Sequence, residues 1–190
     1  MSYEAVFIDR DGTICEEVEF LDDLSKLRLI DGSAKAIEII NKSGMKSVVV
    51  TNQSGVGRGF FTEDFVKKVH EKMEGMLKKE GAFLDGIYYC PHLPEDNCNC
   101  RKPNMGMLKK ASDEMDIDLK RSYMVGDKAI DIEFACRAGV KGVMVRTGYG
   151  MEELNKFTVH SSQFTVKPDY VADNLLEAVK WILKDRQADS

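Results

Sequence analysis

Two carboxylates stand one residue apart near the start of the chain, directly after an apolar run. Residues 5–8 read Ala-Val-Phe-Ile, and Asp9, Arg10, Asp11, Gly12 and Thr13 follow them. Such a run is typical of a buried parallel strand, and ligands bind at the carboxyl ends of such strands. Two acids this close repel each other unless a cation or a proton separates them. One could attack phosphorus beside Mg²⁺ while the other handles a proton. The alternative is an ordinary Asp-Gly turn, which needs only one acid.

Two further apolar segments also end in polar residues. Residues 47–50 run into Thr51, and residues 123–126 run into Asp127. Because the carboxyl ends of parallel strands lie at one edge of a sheet, we expect Asp9, Thr51 and Asp127 to converge on one crevice. This convergence indicates an active site more strongly than any single motif does.

Three cysteines and a histidine are crowded into one loop. Cys90, His92, Cys98 and Cys100 form the Cys₃His set that is typical of a closed, tetrahedral structural zinc site. The surrounding segment 90–103, here named the cysteine loop, is punctuated by prolines and could wrap an ion. Four protein ligands would leave no open position, so a catalytic zinc is not expected. The alternative is a group of reduced cysteines beside a chance histidine.

Strand-like and helix-like segments alternate along the whole chain. This alternation predicts an α/β protein, a Rossmann-like parallel sheet between helices, built as a single domain over residues 1–190. Irregular structure is expected over residues 14–30, and a surface connection over residues 147–168. His70 lies among polar residues of a long predicted helix and is expected to be exposed to solvent.

The composition is that of an ordinary globular protein with an acidic balance. The net charge is −5 and no basic face is present, which argues against nucleic-acid and acidic-membrane partners. No signal peptide and no apolar run of membrane-spanning length occur in the sequence. The five cysteines do not resemble a disulfide framework. We therefore expect a cytoplasmic protein that is a monomer and acts on a small molecule.

The chain resembles the haloacid dehalogenase-like phosphohydrolase superfamily over residues 5 to about 145. The resemblance rests on four motifs that occur in this order: Asp9-x-Asp11-Gly-Thr13, Thr51 after an apolar strand, Lys102, and Gly126-Asp127 with Asp131 four residues on. The resemblance implies that Asp9 is the nucleophile that forms an aspartyl-phosphate, and that Asp11 is the general acid that later activates water. It implies that Thr51 binds the phosphoryl oxygens. Lys102 would neutralise both the nucleophile and the phosphoryl group, as a compact ammonium can.

The same resemblance implies a magnesium site. Asp127, the Asp9 carboxylate and the Asp11 carbonyl would supply hard oxygen ligands to Mg²⁺. Asp131 has two interpretations that the sequence leaves open. It could support the ligands from behind, or it could be an acid that the helix dipole favours at a helix N-terminus.

The cysteine loop narrows the resemblance. Its pattern, from Cys90-Pro-His92 to Cys98-x-Cys100-Arg101-Lys102-Pro103, resembles the branch of heptose bisphosphate phosphatases and histidinol-phosphate phosphatases. The resemblance implies that Zn²⁺ folds the loop that brings Arg101 and Lys102, both expected to be catalytic, into the site. No room remains for a large cap domain, so a shallow site for a small phosphorylated metabolite is expected.

Residues 51–59 and 88–92 resemble the heptose branch. The expected reaction is the loss of the 7-phosphate from D-glycero-D-manno-heptose 1,7-bisphosphate, in nucleotide-activated heptose biosynthesis. A second anion site would use Arg58, Arg101 and Lys128. The full set of expected substrate contacts is Glu17, Phe20, Asn52, Gln53, Ser54, Arg58 and Lys128.

Three alternatives remain open at this point. Histidinol phosphate would suit the acids Glu16, Glu17 and Glu19, and the five-residue gap inside the cysteine cluster looks more like that branch. A zinc-stabilised binding module without catalysis is opposed by the intact set of catalytic residues. A nucleic-acid 3′-phosphatase is opposed by the acidic charge balance.

Overall fold

The computed structural model describes residues 2–19, 21–159 and 166–188, and these build one parallel sheet. Its six strands run in the order β3-β2-β1-β4-β5-β6, and each neighbouring pair is parallel. The strands are β1 (Ala5–Ile8), β2 (Lys46–Asn52), β3 (Gly86–Cys90), β4 (Tyr123–Gly126), β5 (Lys141–Val145) and β6 (Tyr170–Ala172). The predicted α/β fold with a parallel sheet is confirmed.

Within the described residues, six helices cover the two faces of this sheet. They are α1 (Ser33–Lys42), α2 (Glu63–Lys79), α3 (Gly106–Met115), α4 (Ala129–Ala138), α5 (Gly150–Val159) and α6 (Leu175–Ala188). Successive strand residues point to opposite faces, so Val6 and Ile8 join the core under α1, α2 and α6. Ala5 and Phe7 join the second core, under α3 and α4. Burial on both faces explains why β1 is apolar throughout.

Helix α2 shows how local sequence and packing agree. Thr62 caps its N-terminus by accepting a hydrogen bond from the Phe65 N–H at 3.2 Å. Acidic residues occupy the first turn and lysines the last, as the helix dipole favours. Val66, Val69 and Met73 lie on its buried face, with the spacing of an amphipathic helix.

The segment 147–168 differs from the prediction of a surface connection, because helix α5 lies within it. Glu152 and Glu153 in its first turn favour a helix N-terminus, a signal that the glycines around it obscured. The described residues of the segment 14–30 are irregular as predicted, apart from a 3₁₀ turn at Leu24–Lys26. No helix in the described parts of the chain has the length and apolar character that a membrane span requires.

The sheet brings three polar strand ends together. Ile8 of β1 is in register with Val49 of β2 and with Val125 of β4. Asp9 continues this pattern, since its N–H donates to the Val125 carbonyl at 2.9 Å. The residues that follow β1, β2 and β4 therefore meet at one edge of the sheet, where the cysteine loop also arrives.

Candidate active site

Lys102 joins two buried carboxylates at this edge. Its ammonium lies 3.0 Å from Oδ1 of Asp9 and 2.6 Å from Oδ1 of Asp131, and it also donates to the Val50 carbonyl at 3.0 Å. Only 2% of the Lys102 side chain is exposed. Burial acts to lower the pKa of Lys102, but Asp131 and Asp9 outweigh it, so this pKa is raised and the side chain stays charged.

Asp127 adds a third buried carboxyl group at the same place. Its Oδ2 accepts a hydrogen bond from the Tyr149 N–H at 2.9 Å, while its buried Oδ1 has no partner. Burial, with the charge of Asp9, raises the pKa of Asp127 to about 8. Ligand oxygens of Asp9, Asp127 and Asp131 all lie within 4.8 Å of one another. An unpartnered buried oxygen among three carboxylates fits a bound cation.

Asp131 combines both of the roles that the sequence left open. One oxygen binds the Lys102 ammonium, and the other accepts from the Lys128 N–H at 3.1 Å at the start of α4. Burial raises the pKa of Asp131 to about 6. Its two oxygens are thus occupied by protein donors, and Asp131 orients Lys102 from behind.

Two glycines permit this crowding of carboxylates. Gly12 has a φ of +78°, and a Cβ there would lie 2.2 Å from Oδ2 of Asp127. A Cβ on Gly126 would lie 2.2 Å from Oδ2 of Asp131. Both positions exclude any side chain, because the acids occupy that space.

Asp11 is held by a second charged residue, Arg10. The guanidinium donates to both Asp11 oxygens, at 2.9 Å from Nε and 2.8 Å from Nη2, and Gln53 Nε2 donates to Oδ2 at 2.9 Å. Burial acts to raise the pKa of Asp11, but Arg10 outweighs it and the pKa is lowered. Gln53 Nε2 also lies 3.0 Å from Oγ1 of Thr51, which connects Asp11 to that hydroxyl.

The expectation that His70 is exposed is wrong. His70 is 6% exposed, and its Nε2 lies 3.3 Å from Nη1 of Arg10. The signal was present in the helical spacing, because His70 lies one turn from both Val66 and Met73 on the buried face of α2. Its polar neighbours in sequence lie on other faces of the helix.

A cavity of about 290 Å³ opens above these groups. Asp9, Asp11, Thr51 and Lys102 lie at its polar wall, as do the expected substrate contacts Glu17, Asn52, Gln53, Ser54 and Lys128. An apolar wall, which the sequence did not indicate, comprises Val18, Leu21, Phe61 and Ile130. The cavity is at the small end of ligand sites.

The cysteine loop brings four metal-ligating atoms together. The sulfur of Cys100 lies 3.2 Å from that of Cys90, 3.4 Å from that of Cys98 and 3.2 Å from Nδ1 of His92. All four ligand atoms lie within 4.8 Å of one another, which suits a tetrahedral ion. Asn52 ties the loop to β2, because its side chain bonds both the N–H and the carbonyl of Lys102.

Comparisons with known proteins agree with this site. The family model described as "HAD-hyrolase-like" matches residues 99–178. The D-glycero-D-manno-heptose-1,7-bisphosphate 7-phosphatase of Thermosynechococcus vestitus is 42% identical over 96% of each chain. The chain belongs to the haloacid dehalogenase-like phosphatase family. Its haloacid dehalogenase-like architecture and its class, phosphoric monoester hydrolase, are thereby shown.

Two further members of the family extend the match. The D-glycero-beta-D-manno-heptose-1,7-bisphosphate 7-phosphatase of Haemophilus ducreyi is 38% identical, over 96% of this chain and all of the relative. The crystal structure of the D,D-heptose 1,7-bisphosphate phosphatase from B. bronchiseptica, complexed with magnesium and phosphate, superposes with a TM-score of 0.86 at 30% identity. That match covers 96% of this chain and 99% of the other.

Three predicted site residues of this phosphatase lie away from the cavity or outside the described chain. Arg58 is exposed and does not line the cavity. Arg101 does not line it either, and its Nη1 donates to the His92 carbonyl at 3.2 Å. Phe20 lies outside the described residues. Of the three cations expected at a second anion site, Lys128 is the one that reaches the cavity within the described residues.

Lys128 is itself paired at the cavity wall. Its ammonium lies 2.8 Å from Oε2 of Glu17 and 4.8 Å from the centre of the Tyr149 ring. Burial acts to lower the pKa of Lys128, but Asp127 and Asp9 outweigh it and raise this pKa. The side chain is therefore positively charged at neutral pH.

Proposed function

We propose that this phosphatase removes the 7-phosphate of D-glycero-D-manno-heptose 1,7-bisphosphate through a covalent aspartyl-phosphate at Asp9. The single observation that carries the reaction is the Asp9–Lys102–Asp131 cluster at the cavity wall, with Asp11 and Thr51 beside it. The substrate is supported by the names of relatives that are 38% and 42% identical over 96% of this chain.

The first half of the reaction forms the phosphoenzyme. Asp9 binds Arg10 N–H and Lys102 through Oδ1, which leaves Oδ2 to attack phosphorus. The bond between phosphorus and the sugar oxygen breaks, and Asp11 donates a proton to that oxygen, so Asp11 must be protonated in the substrate complex although Arg10 lowers its pKa in the free enzyme. Lys102 and the Thr51 hydroxyl stabilise the charge on the transferring group, the dominant requirement of phosphoryl transfer.

The second half of the reaction releases phosphate. Asp11, now ionised, accepts a proton from water as the water oxygen attacks phosphorus. The bond between phosphorus and Asp9 breaks, which returns the carboxylate to Lys102. Asp11 thereby ends the cycle with the proton that it lost at the start.

Mg²⁺ is proposed to bind beside Asp9. The carboxylates of Asp9 and Asp127 and the carbonyl of Asp11 would hold it, and the unpartnered Oδ1 of Asp127 supports this. When bound, the ion neutralises the carboxylates and the phosphoryl oxygens. The B. bronchiseptica enzyme described above was crystallised with magnesium.

Zn²⁺ is proposed to occupy the cysteine cluster as one structural ion. Cys90, His92, Cys98 and Cys100 supply four ligands, and such a set closes the coordination shell. The loop has little apolar content, so metal–ligand bonds would offset the entropy lost when it is ordered. The ion would hold the segment that brings Lys102 to Asp9.

The heptose substrate is favoured over histidinol phosphate, because the relatives that match along the whole chain are heptose-bisphosphate phosphatases. Lys128 is the proposed partner of the second phosphate, and exchanging Glu17 for that phosphate would open the cavity. A place in nucleotide-activated heptose biosynthesis and a cytoplasmic location follow as proposals from this substrate. The monomeric state stays a prediction.

Phosphate release with Mg²⁺ tests the proposal. The substrates are heptose 1,7-bisphosphate and histidinol phosphate, with Asp9→Asn as the control for contaminating phosphatases. We expect a kcat/KM at least tenfold higher for the heptose, which corresponds to about 1.4 kcal/mol of transition-state binding. Phosphorus NMR should show loss of the primary phosphate and retention of the phosphate at C1. A tenfold preference for histidinol phosphate contradicts the substrate.

A further inference from the structure

Arg10 is buried beside the reacting groups, although the mechanism above gives its side chain no task. Only 2% of the side chain is exposed. Burying a guanidinium costs several kcal/mol unless its donors are paired. Four of the five N–H donors have partners here, two on Asp11, one on Gln53 and one on His70.

These contacts fix the plane of the Asp11 carboxylate. Arg10 bonds one oxygen through Nε and the other through Nη2, so the carboxylate cannot rotate without breaking a bond to Arg10. Gln53 supplies a third donor on the side of Thr51. The Asp11 side chain remains 19% exposed and lines the cavity, so the fixed group still reaches the substrate space.

His70 fixes Arg10 in turn. Because arginine only donates hydrogen bonds, Nε2 of His70 must accept from Nη1, and the ring proton must lie on Nδ1. Burial, with the charge of Arg10, lowers the pKa of His70 to about 4, so the ring is neutral and able to accept. The ring also packs edge-on against Tyr89 of β3, with centroids 5.5 Å apart.

We infer that Arg10 is the positioning residue that orients Asp11 for proton transfer, and that His70 holds Arg10 in place from helix α2. The inference rests on the proposed function, in which Asp11 protonates the leaving oxygen. It adds a support that runs from the end of β1 to α2, through Arg10 at the cavity wall and His70 behind it. A general acid needs such support, because proton transfer depends on the placement of the donor.

The leaving group separates positioning from structural stability. A sugar alkoxide needs a proton as it departs, whereas p-nitrophenolate departs as a stabilised anion. Misplacing Asp11 should therefore slow phosphoenzyme formation from a sugar phosphate far more than from p-nitrophenyl phosphate. A residue that only stabilises the fold would affect both substrates alike.

The test compares His70→Phe, His70→Gln and Arg10→Lys with the wild-type enzyme. Rapid-quench measurement gives the rate of phosphoenzyme formation from the sugar bisphosphate, and the burst of p-nitrophenol gives it for the aryl ester. For His70→Phe and Arg10→Lys we expect a loss of about tenfold or more with the sugar, within the range for general acid catalysis. The burst rate and the sugar KM should change less than about twofold. His70→Gln should recover most of the loss, since its Oε1 can accept from Arg10.

Two controls make the outcome decisive. Val66→Ala removes packing on the same face of α2 without removing any hydrogen bond to Arg10, and it should lower the melting temperature without any leaving-group selectivity. Asp11→Asn should slow phosphoenzyme formation from the sugar phosphate far more than from p-nitrophenyl phosphate. If it does and the His70 and Arg10 variants do not, the inference is overturned and the proposed function stands. If Asp11→Asn shows no selectivity, the proposed role of Asp11 fails, and the inference fails with it.

Discussion

Replacing Lys102 with methionine retains most of the side-chain length and removes the charge that joins Asp9 to Asp131. Both carboxylates are buried and lie 3.0 and 2.6 Å from the ammonium. Breaking a buried pair by removing one partner costs about 3–5 kcal/mol. For a chain of this size, this corresponds to a fall in melting temperature of roughly 6–20 °C at pH 8.

The loss should depend on pH. Without Lys102, the folded-state pKa of Asp131, which burial already raises to about 6, rises further above that of the unfolded chain. The folded protein then binds more protons than the unfolded one between pH 5 and pH 8, so its stability falls as the pH rises over this range. Lys102→Met should therefore be nearest to wild type at pH 5 and furthest from it at pH 8.

Thermal unfolding in Mg²⁺-free buffer measures this difference, and the double variant Lys102→Met/Asp131→Asn separates charge balance from catalysis. The double variant has one buried charge fewer and should recover about half of the lost stability. Its kcat should stay at least about 100-fold below wild type, because no cation stabilises the transferring phosphoryl group. An equal stability loss at both pH values, or recovery of kcat in the double variant, would refute the reasoning.

The metal sites lead to two further predictions. In Mg²⁺-free buffer, wild type should lose stability relative to Asp127→Asn as pH rises from 5 to 8. The reason is that Asp127 has a pKa of about 8 in the folded protein, far above its pKa in the unfolded chain. Melting curves measure this, and a difference in melting temperature that stays constant over this pH range contradicts it. Cys98→Ser should lower bound zinc, melting temperature and activity together, measured by metal analysis, unfolding and phosphate release, while the exposed Cys136→Ser should change none of them.

The positions of the catalytic groups could be predicted from local sequence. An apolar run followed by an acid marks a buried strand and its end, and parallel strands must bring their ends to one edge. Asp9 and Thr51 line the cavity there, and Asp127 lies beside Asp9, for this reason. The cysteine cluster could also be predicted, since its four ligands lie within one stretch of eleven residues.

Contacts between residues far apart in the sequence could not be predicted. Arg10 and His70 are 60 positions apart, and Lys128 and Glu17 are 111 apart. Which side chains meet across such distances depends on how α2 and α4 pack against the sheet, and no local pattern encodes that. Arg101 illustrates the same limit, because its neighbour Lys102 enters the site while its own guanidinium contacts His92.

The account depends most directly on Asp9 as the nucleophile. Borohydride reduces an acyl phosphate to an alcohol, so quenching the enzyme during turnover converts a phosphorylated aspartate to homoserine. Mass spectrometry of the N-terminal peptide should find homoserine at position 9 in the wild-type enzyme with heptose bisphosphate and Mg²⁺, and none without substrate. Homoserine at position 11, or unmodified aspartate at both positions during turnover, would contradict the account.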